Sequence, residues 1–290
     1  MHDLAQQIVS GLATGSIFAS MALALVLIYR SMGVINFAQG EMAMFTTYVA
    51  WQLVADGMPM WAAFLLTVVV AFAGGVVLER VVIRPVERAS PLAVVIVTLG
   101  LFIALNGLAG WIWGFIVKPF PTPFPTSPIQ IAGLDFSAQD LGVIAVSLVT
   151  LGLISLFFQK TKLGLAMRAA AIYPEQSRVL GIRVGWMLAL GWGLASVVGA
   201  VSGIMIAPIV FLDPNMMQTV IVYAFAAAVL GGIESPLGAV VGGLVLGVAI
   251  NLLGEVIGNE LRLAAALAII VLVLVVRPAG LFGRVAVQRV

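Results

Sequence analysis

The sequence predicts an all-α fold, a polytopic transmembrane helix bundle of about 8–9 membrane segments forming one integral-membrane domain over residues 1–290. Three observations predict it. Of 290 residues, 62% are apolar and 9% charged, against roughly a quarter charged in a soluble domain, which excludes a water-soluble fold. One spanning helix takes about 20 residues plus its connection, so a chain of this length crosses a bilayer about eight to ten times. Breaks at charges, prolines and glycines leave nine apolar segments.

The first segment, 4–28, is preceded by Asp3 rather than basic residues and exceeds the core of a secretory signal, so it is expected to be a retained helix. The second, 34–55, encloses Glu41 and is expected as a regular helix. Segments 59–78, 91–113, 140–158 and 186–208 follow, each of ordinary spanning length. Segments 219–233 and 237–254 return the chain to one side, either as two short spans or as a re-entrant hairpin with broken helices. The ninth, 263–277, ends at Arg277-Pro278. Small residues at helical spacing, Gly11/Gly15, Ala195/Gly199/Gly203, Gly238/Gly242 and Gly243/Gly247, predict close helix crossings, with a pore-lining role as the alternative.

The sparse charges predict orientation. If the loop with Arg80, Arg84 and Arg88 is cytoplasmic, alternation brings Arg30, Lys160, Lys162, Arg168, Arg178, Arg183, Arg277, Arg284 and Arg289 to the same side. Lys118 and Arg262 are left outside, as the positive-inside tendency expects. Asp3, Asp56, Asp135, Asp140, Asp213, Glu255 and Glu260 also fall outside, which puts the N-terminus outside and the C-terminus in the cytoplasm. A dip of 34–55 back to its own side would expel the arginines of 80–88 and is disfavoured.

Whole classes of chemistry are excluded. The chain has no cysteine and one histidine, His2, so disulfides, iron–sulfur clusters and His/Cys metal sites have no ligands. None of the lysines follows a phosphate-cradling glycine loop, so nucleotide-driven work falls to a partner. No nucleophile–base pair marks a membrane enzyme, and no catalytic residue is expected. The bilayer is the expected surrounding, and no nucleic acid is expected as a partner.

Three features carry the functional expectation. Glu41 lies eleven residues past Arg30, about 16 Å deep in a regular helix, with Asn36, Gln39 and Gly40 around it. A carboxylate at that depth needs protein, water or a partner. It reads either as a strut between helices or, with its neighbours, as the polar lining of a translocation path; the glycine is expected to loosen the helix. The loop 159–185 holds a short helix starting at Pro174, with Glu175 at its N-terminus and Gly181 as a left-handed C-cap. Its Val179, Leu180 and Ile182 suit the headgroup level or the groove of a cytoplasmic protein. The loop 114–139 has five prolines, from Pro119 to Pro128, within ten residues and reads as an extended spacer or an external docking surface. Asn106, Gln218, Tyr223 and Asn251 read as interhelical hydrogen-bonders.

The run Tyr29-Arg-Ser-Met-Gly-Val-Ile-Asn-Phe-Ala-Gln-Gly-Glu-Met42 resembles the N-F-A-x-G-E signature of the branched-chain amino-acid ABC transporter permeases, of the LivH type rather than the LivM type. Arg168-Ala-Ala-Ala with Glu175 and Leu180-Gly181-Ile182, the glycine-rich 229–243 and Arg277-Pro-Ala-Gly-Leu-Phe-Gly283 match in the same order. The resemblance covers about residues 8–284. It implies a permease of an ATP-binding-cassette importer for branched-chain or other hydrophobic amino acids, in a bacterial-type inner membrane. The implied partners are a LivM-like second permease or a like copy, two cytoplasmic ATPase subunits and an external solute-binding protein. No cofactor is expected in this chain; ATP and Mg would sit on the partner ATPase subunits. Arg168, Glu175, Arg178, Leu180, Gly181 and Ile182 are the implied ATPase coupling loop. Close relatives carry urea or short amides, and many have His in place of Gln39 and Gly in place of Glu234. The rival mechanism is a proton-coupled secondary transporter using Glu41, but no internal repeat of the kind common in such carriers is found.

Overall fold

The computed structural model describes residues 2–87, 89–125, 127–131 and 134–283. All nine predicted segments are helical. They are α1 (His2–Met32), α2 (Gln39–Ala55), α3 (Met60–Leu78), α4 (Pro91–Trp113), α5 (Ala138–Lys160), α8 (Val184–Val210), α9 (Met217–Gly231), α10 (Pro236–Ile257) and α11 (Arg262–Val276). Two shorter helices, α6 (Lys162–Ile172) and α7 (Pro174–Val179), lie between α5 and α8. Seven helices are long and apolar enough to cross a membrane. The helices α2 and α9, of 17 and 15 residues, are about 25 and 22 Å long, less than the ~30 Å hydrocarbon thickness. Within 219–254, α9 is short and α10 is long and apolar enough to cross a membrane.

Local sequence sets the helix starts. Ser90, Thr161 and Ser235 each accept a hydrogen bond from a first-turn N–H, at 3.3, 2.9 and 3.0 Å, and Pro91 and Pro236 occupy the position where no N–H is needed. Small residues set the crossings. A side chain on Gly247 would overlap the backbone of Gly15 and Gly11, and one on Gly243 the backbone of Ala19, so α1 and α10 touch main chain to main chain. Gly199 and Gly203 likewise receive Gln39, Ala43 and Thr47 of α2, and Gly238 and Gly242 receive α9. The helices α1 and α8 are mostly buried and form the centre, while α3, α4, α5 and α11 present Leu65, Ile103, Leu153 and Val275 outward.

The expected regular helix over 34–55 is corrected. The helix α1 ends at Met32, Gly33 turns at φ 68°, and the chain re-enters without helical structure until Gln39. The side-chain oxygen of Asn36 accepts from the N–H of Ala38 at 3.0 Å, a local bond that competes with helix formation. Gly40 does not loosen α2: it is buried in the first turn, where a Cβ would sit 3.5 Å from Met217 and Ile221. The proline loop is also more than a spacer, since it contains an antiparallel pair, β1 (Ile129–Ile131) with β2 (Leu134–Phe136), and Lys118 bridges Leu212.

The charges sort by end as expected among the described residues. Arg30 and Arg168 share one cavity, Arg84, Arg178 and Arg183 line a neighbouring hollow, and Arg80 covers Trp186. This is the basic end. Lys118, over Trp51, is at the opposite end. Arg88, Arg284 and Arg289 lie outside the described residues. A second acid is buried: Glu79, in a π turn continuing α3, is 0% exposed. Its nearest cation is Arg80, with Nε at 3.9 Å, whose guanidinium stacks 3.5 Å from the Trp186 ring centroid.

Candidate functional site

Two polar regions lie on the same scaffold, one inside the bundle and one at its basic end. The first starts at the break before α2. Gln39 spans two elements, accepting from Asn36 Nδ2 at 3.3 Å and donating to the carbonyl of Ala195 in α8 at 3.0 Å. Asn36 and Gln39 are buried within the protein. Glu41 is 1% exposed and sits in the first turn of α2, where the unpaired N–H groups of a helix start favour negative charge.

Glu41 is joined to groups far away in sequence. Its Oε2 accepts from Asn106 Nδ2 of α4 at 3.4 Å. The same amide donates to the carbonyl of Pro214 at 2.8 Å and to Asn215 Oδ1 at 3.2 Å. Asn215 Oδ1 also accepts from Gln218 Nε2 at 2.8 Å, and its N–H donates to Asp213 Oδ1 at 2.6 Å. The result is a hydrogen-bonded line from a buried carboxylate to Asn215 and Gln218, which are exposed. Depth follows from Gln52, which receives Trp113 Nε1 near the outer ends of α2 and α4. Glu41 precedes Gln52 by eleven residues, or roughly 16 Å along the helix.

Asn106 thus acts as an interhelical hydrogen-bonder, as does Asn251, which donates to the carbonyl of Gln7 at 2.7 Å, whereas Gln218 bonds only to Asn215 in the turn before its own helix. Sequence reasoning missed Asp213 and Asn215, which it placed in or beside an ordinary outside loop. The available signal was Asp-Pro-Asn followed by an unusually short apolar helix, the pattern of a chain that turns back before leaving the membrane.

The second region is built on α7. Pro174 starts the helix, Glu175 is in its first turn and Gly181 takes φ 81°, as the sequence predicts; Glu175 also pairs with Arg178 at 2.6 Å. The turn closes when the N–H of Ile182 donates to the carbonyl of Ser177 at 2.9 Å. This leaves Val179 88% and Leu180 80% exposed at the tip. Beside them is a hollow of about 500 Å³ lined by Arg84, Arg178, Gly181, Ile182, Arg183 and Trp186. The structure therefore brings together Glu175, Arg178, Leu180, Gly181 and Ile182. Arg168 is separate: it is on α6 and lines a different cavity with Arg30.

One element connects the regions. The helix α8 begins at Val184, two residues after Ile182, and eleven residues later presents Ala195 to Gln39, about 16 Å further into the bundle. The helix α8 thus runs without interruption from the turn after α7 to the Gln39 contact.

The family model for the branched-chain amino acid transport system permease component matches residues 7–276. The chain is 31% identical over 304 residues to the high-affinity branched-chain amino acid transport system permease protein BraD of Pseudomonas aeruginosa, covering 100% of this chain and 99% of that one. It is 32% identical to the corresponding LivH protein of Salmonella typhimurium and 31% identical to that of Escherichia coli, with 98% of this chain and 97% of each relative aligned.

Proposed function

The chain belongs to the branched-chain amino acid transport permease family, and from that premise we propose that it is the membrane subunit of an ATP-driven importer for branched-chain or other hydrophobic amino acids. It is a multi-pass permease; the division of labour with partners is the proposal. The basic end faces the cytoplasm of an inner membrane, following the positive-inside tendency, and the N-terminus lies outside. Two cytoplasmic ATPase subunits supply ATP and Mg, a second permease (LivM-like or a like copy) completes the path, and an external solute-binding protein delivers the solute.

The observation that carries this reading is the exposed Val179–Leu180 tip, attached directly to the rod α8. An apolar pair held out by a closed turn, next to a hollow lined by Arg178, Arg183 and Arg84, suits a groove with acidic margins on a cytoplasmic protein. When the ATPases close, α7 moves, α8 tilts, and the bond from Gln39 to Ala195 carries the motion to the break before α2. The path runs beside Asn36, Gln39, Gly40 and Glu41, with Asn106 and Asn215 offering donors and acceptors to a polar solute. Copurification tests the assembly: the tagged full chain extracted from native membranes should bring down two ATPase subunits and a second permease. Recovery of the chain with none of them would defeat the reading.

Glu41→Gln keeps an oxygen for Asn106 and removes the charge. We expect an assembled complex whose uptake rate or solute range changes several-fold. Wild-type uptake of leucine, isoleucine and valine by this variant would reduce Glu41 to a strut between α2 and α4.

A further inference from the structure

We infer that the cavity between α1, α5, α6, α8 and α10 is a binding site for one acyl chain of an anionic phospholipid, its phosphate held between Arg30 and Arg168. The cavity holds about 590 Å³, within the ~300–1,000 Å³ range of sites that enclose a small ligand. Its lining is sorted by depth. Leu23, Leu151, Gly191 and Val241 line the deeper part, whereas Arg30, Ser31, Gln159 and Arg168 gather at the basic end. Such a gradient fits an amphiphile and no fully polar solute.

Length and charge narrow the occupant. Along α5 the lining runs from Leu148 to Gln159, eleven residues or about 16 Å, close to half of the ~30 Å hydrocarbon thickness and so to one leaflet. The rims Leu148 and Leu237 are exposed on the surface of the bundle, which gives a lipid lateral entry. No acidic side chain lines the cavity, and among the described residues neither Arg30 nor Arg168 forms an ion pair. Ser155 and Gln159 already hydrogen-bond each other at 2.8 Å, leaving the two guanidinium groups as the polar anchors. Two cations over an apolar slot at the cation-rich end of a membrane protein complement an anionic headgroup, and guanidinium suits phosphate in particular.

The test is native mass spectrometry of the full chain in detergent, titrated with dioleoylphosphatidylglycerol or dioleoylphosphatidylcholine. Wild type should retain one phosphatidylglycerol in preference to phosphatidylcholine. Arg30→Gln with Arg168→Gln should lower that preference by roughly tenfold, and Arg30→Lys with Arg168→Lys should restore most of it. Gly152→Trp places bulk in the cavity from a position where a Cβ meets nothing within 4 Å, so it should fold and lose both lipids. Arg277→Gln, on the basic side but outside this cavity, should leave the lipid preference unchanged. The inference is overturned if the double glutamine variant keeps the preference, if Gly152→Trp binds as wild type does, or if glycerol 3-phosphate competes as well as the intact lipid. Exclusion of phosphatidylglycerol by a dimer of the chain would equally overturn it and assign this face to a second copy.

Discussion

Leu180→Asp is expected to abolish ATP-driven uptake while leaving the chain folded and inserted. Leu180 is 80% exposed and closes no core contact, so the free subunit should change in stability by no more than about 0.5 kcal/mol. Under the proposed coupling role the same side chain would be an apolar anchor at the tip of α7. Loss of such an anchor costs about 2 kcal/mol or more, or about thirtyfold in affinity, and a buried aspartate adds a desolvation penalty. Glu175→Ala should act in the same direction and more weakly, because it removes only the bond to Arg178 that steadies an exposed turn. The measurement is ATPase copurification and transport-coupled ATP hydrolysis for each variant. Unchanged transport in both would remove α7 from the coupling route.

Gly247→Val is expected to prevent the bundle from assembling. The added side chain meets the main chain of Gly15 and Gly11, which cannot rotate away as a flexible side chain would. Overpacking against side chains costs about 1–3 kcal/mol. Separation of α1 and α10 should exceed that range, since α1 lies at the centre of the core. Loss of the protein from the membrane fraction, or a fall of many degrees in the melting temperature of the solubilised chain, is the expected readout. Gly100→Val is the control, because a Cβ at Gly100 meets nothing within 4 Å. Equal stability of the two variants would refute the close crossing.

The crossings and helix caps were legible from the sequence because each depends on local residue type. Glycines four apart on one face marked α1 and α10 as close-packing helices without showing that they meet each other, and Pro174 with Gly181 bounded the turn around α7. The break at 33–38 was not legible. Val34, Ile35 and Phe37 are as apolar as any helix segment, so hydropathy runs through the break without a signal. Only Gly33 and the side chain of Asn36 signalled it. Nor was the line from Glu41 through Asn106 to Asn215 visible, since its members come from three elements separated by 65 and 109 residues. Glu79 escaped notice because it sits among arginines in sequence, whereas a π turn directs it into the core.

The central claim is that motion imposed at the basic end by ATP hydrolysis on other subunits opens the path beside Glu41. Reconstitution of the chain with its copurifying permease, ATPases and binding protein in proteoliposomes tests it, with labelled leucine outside the permease and ATP supplied at the α7 face. The account predicts uptake that requires ATP and binding protein, persists when the pH gradient is collapsed, and is lost with Leu180→Asp. Uptake by the chain alone, driven by a pH gradient without ATP and abolished by Glu41→Gln, would contradict it.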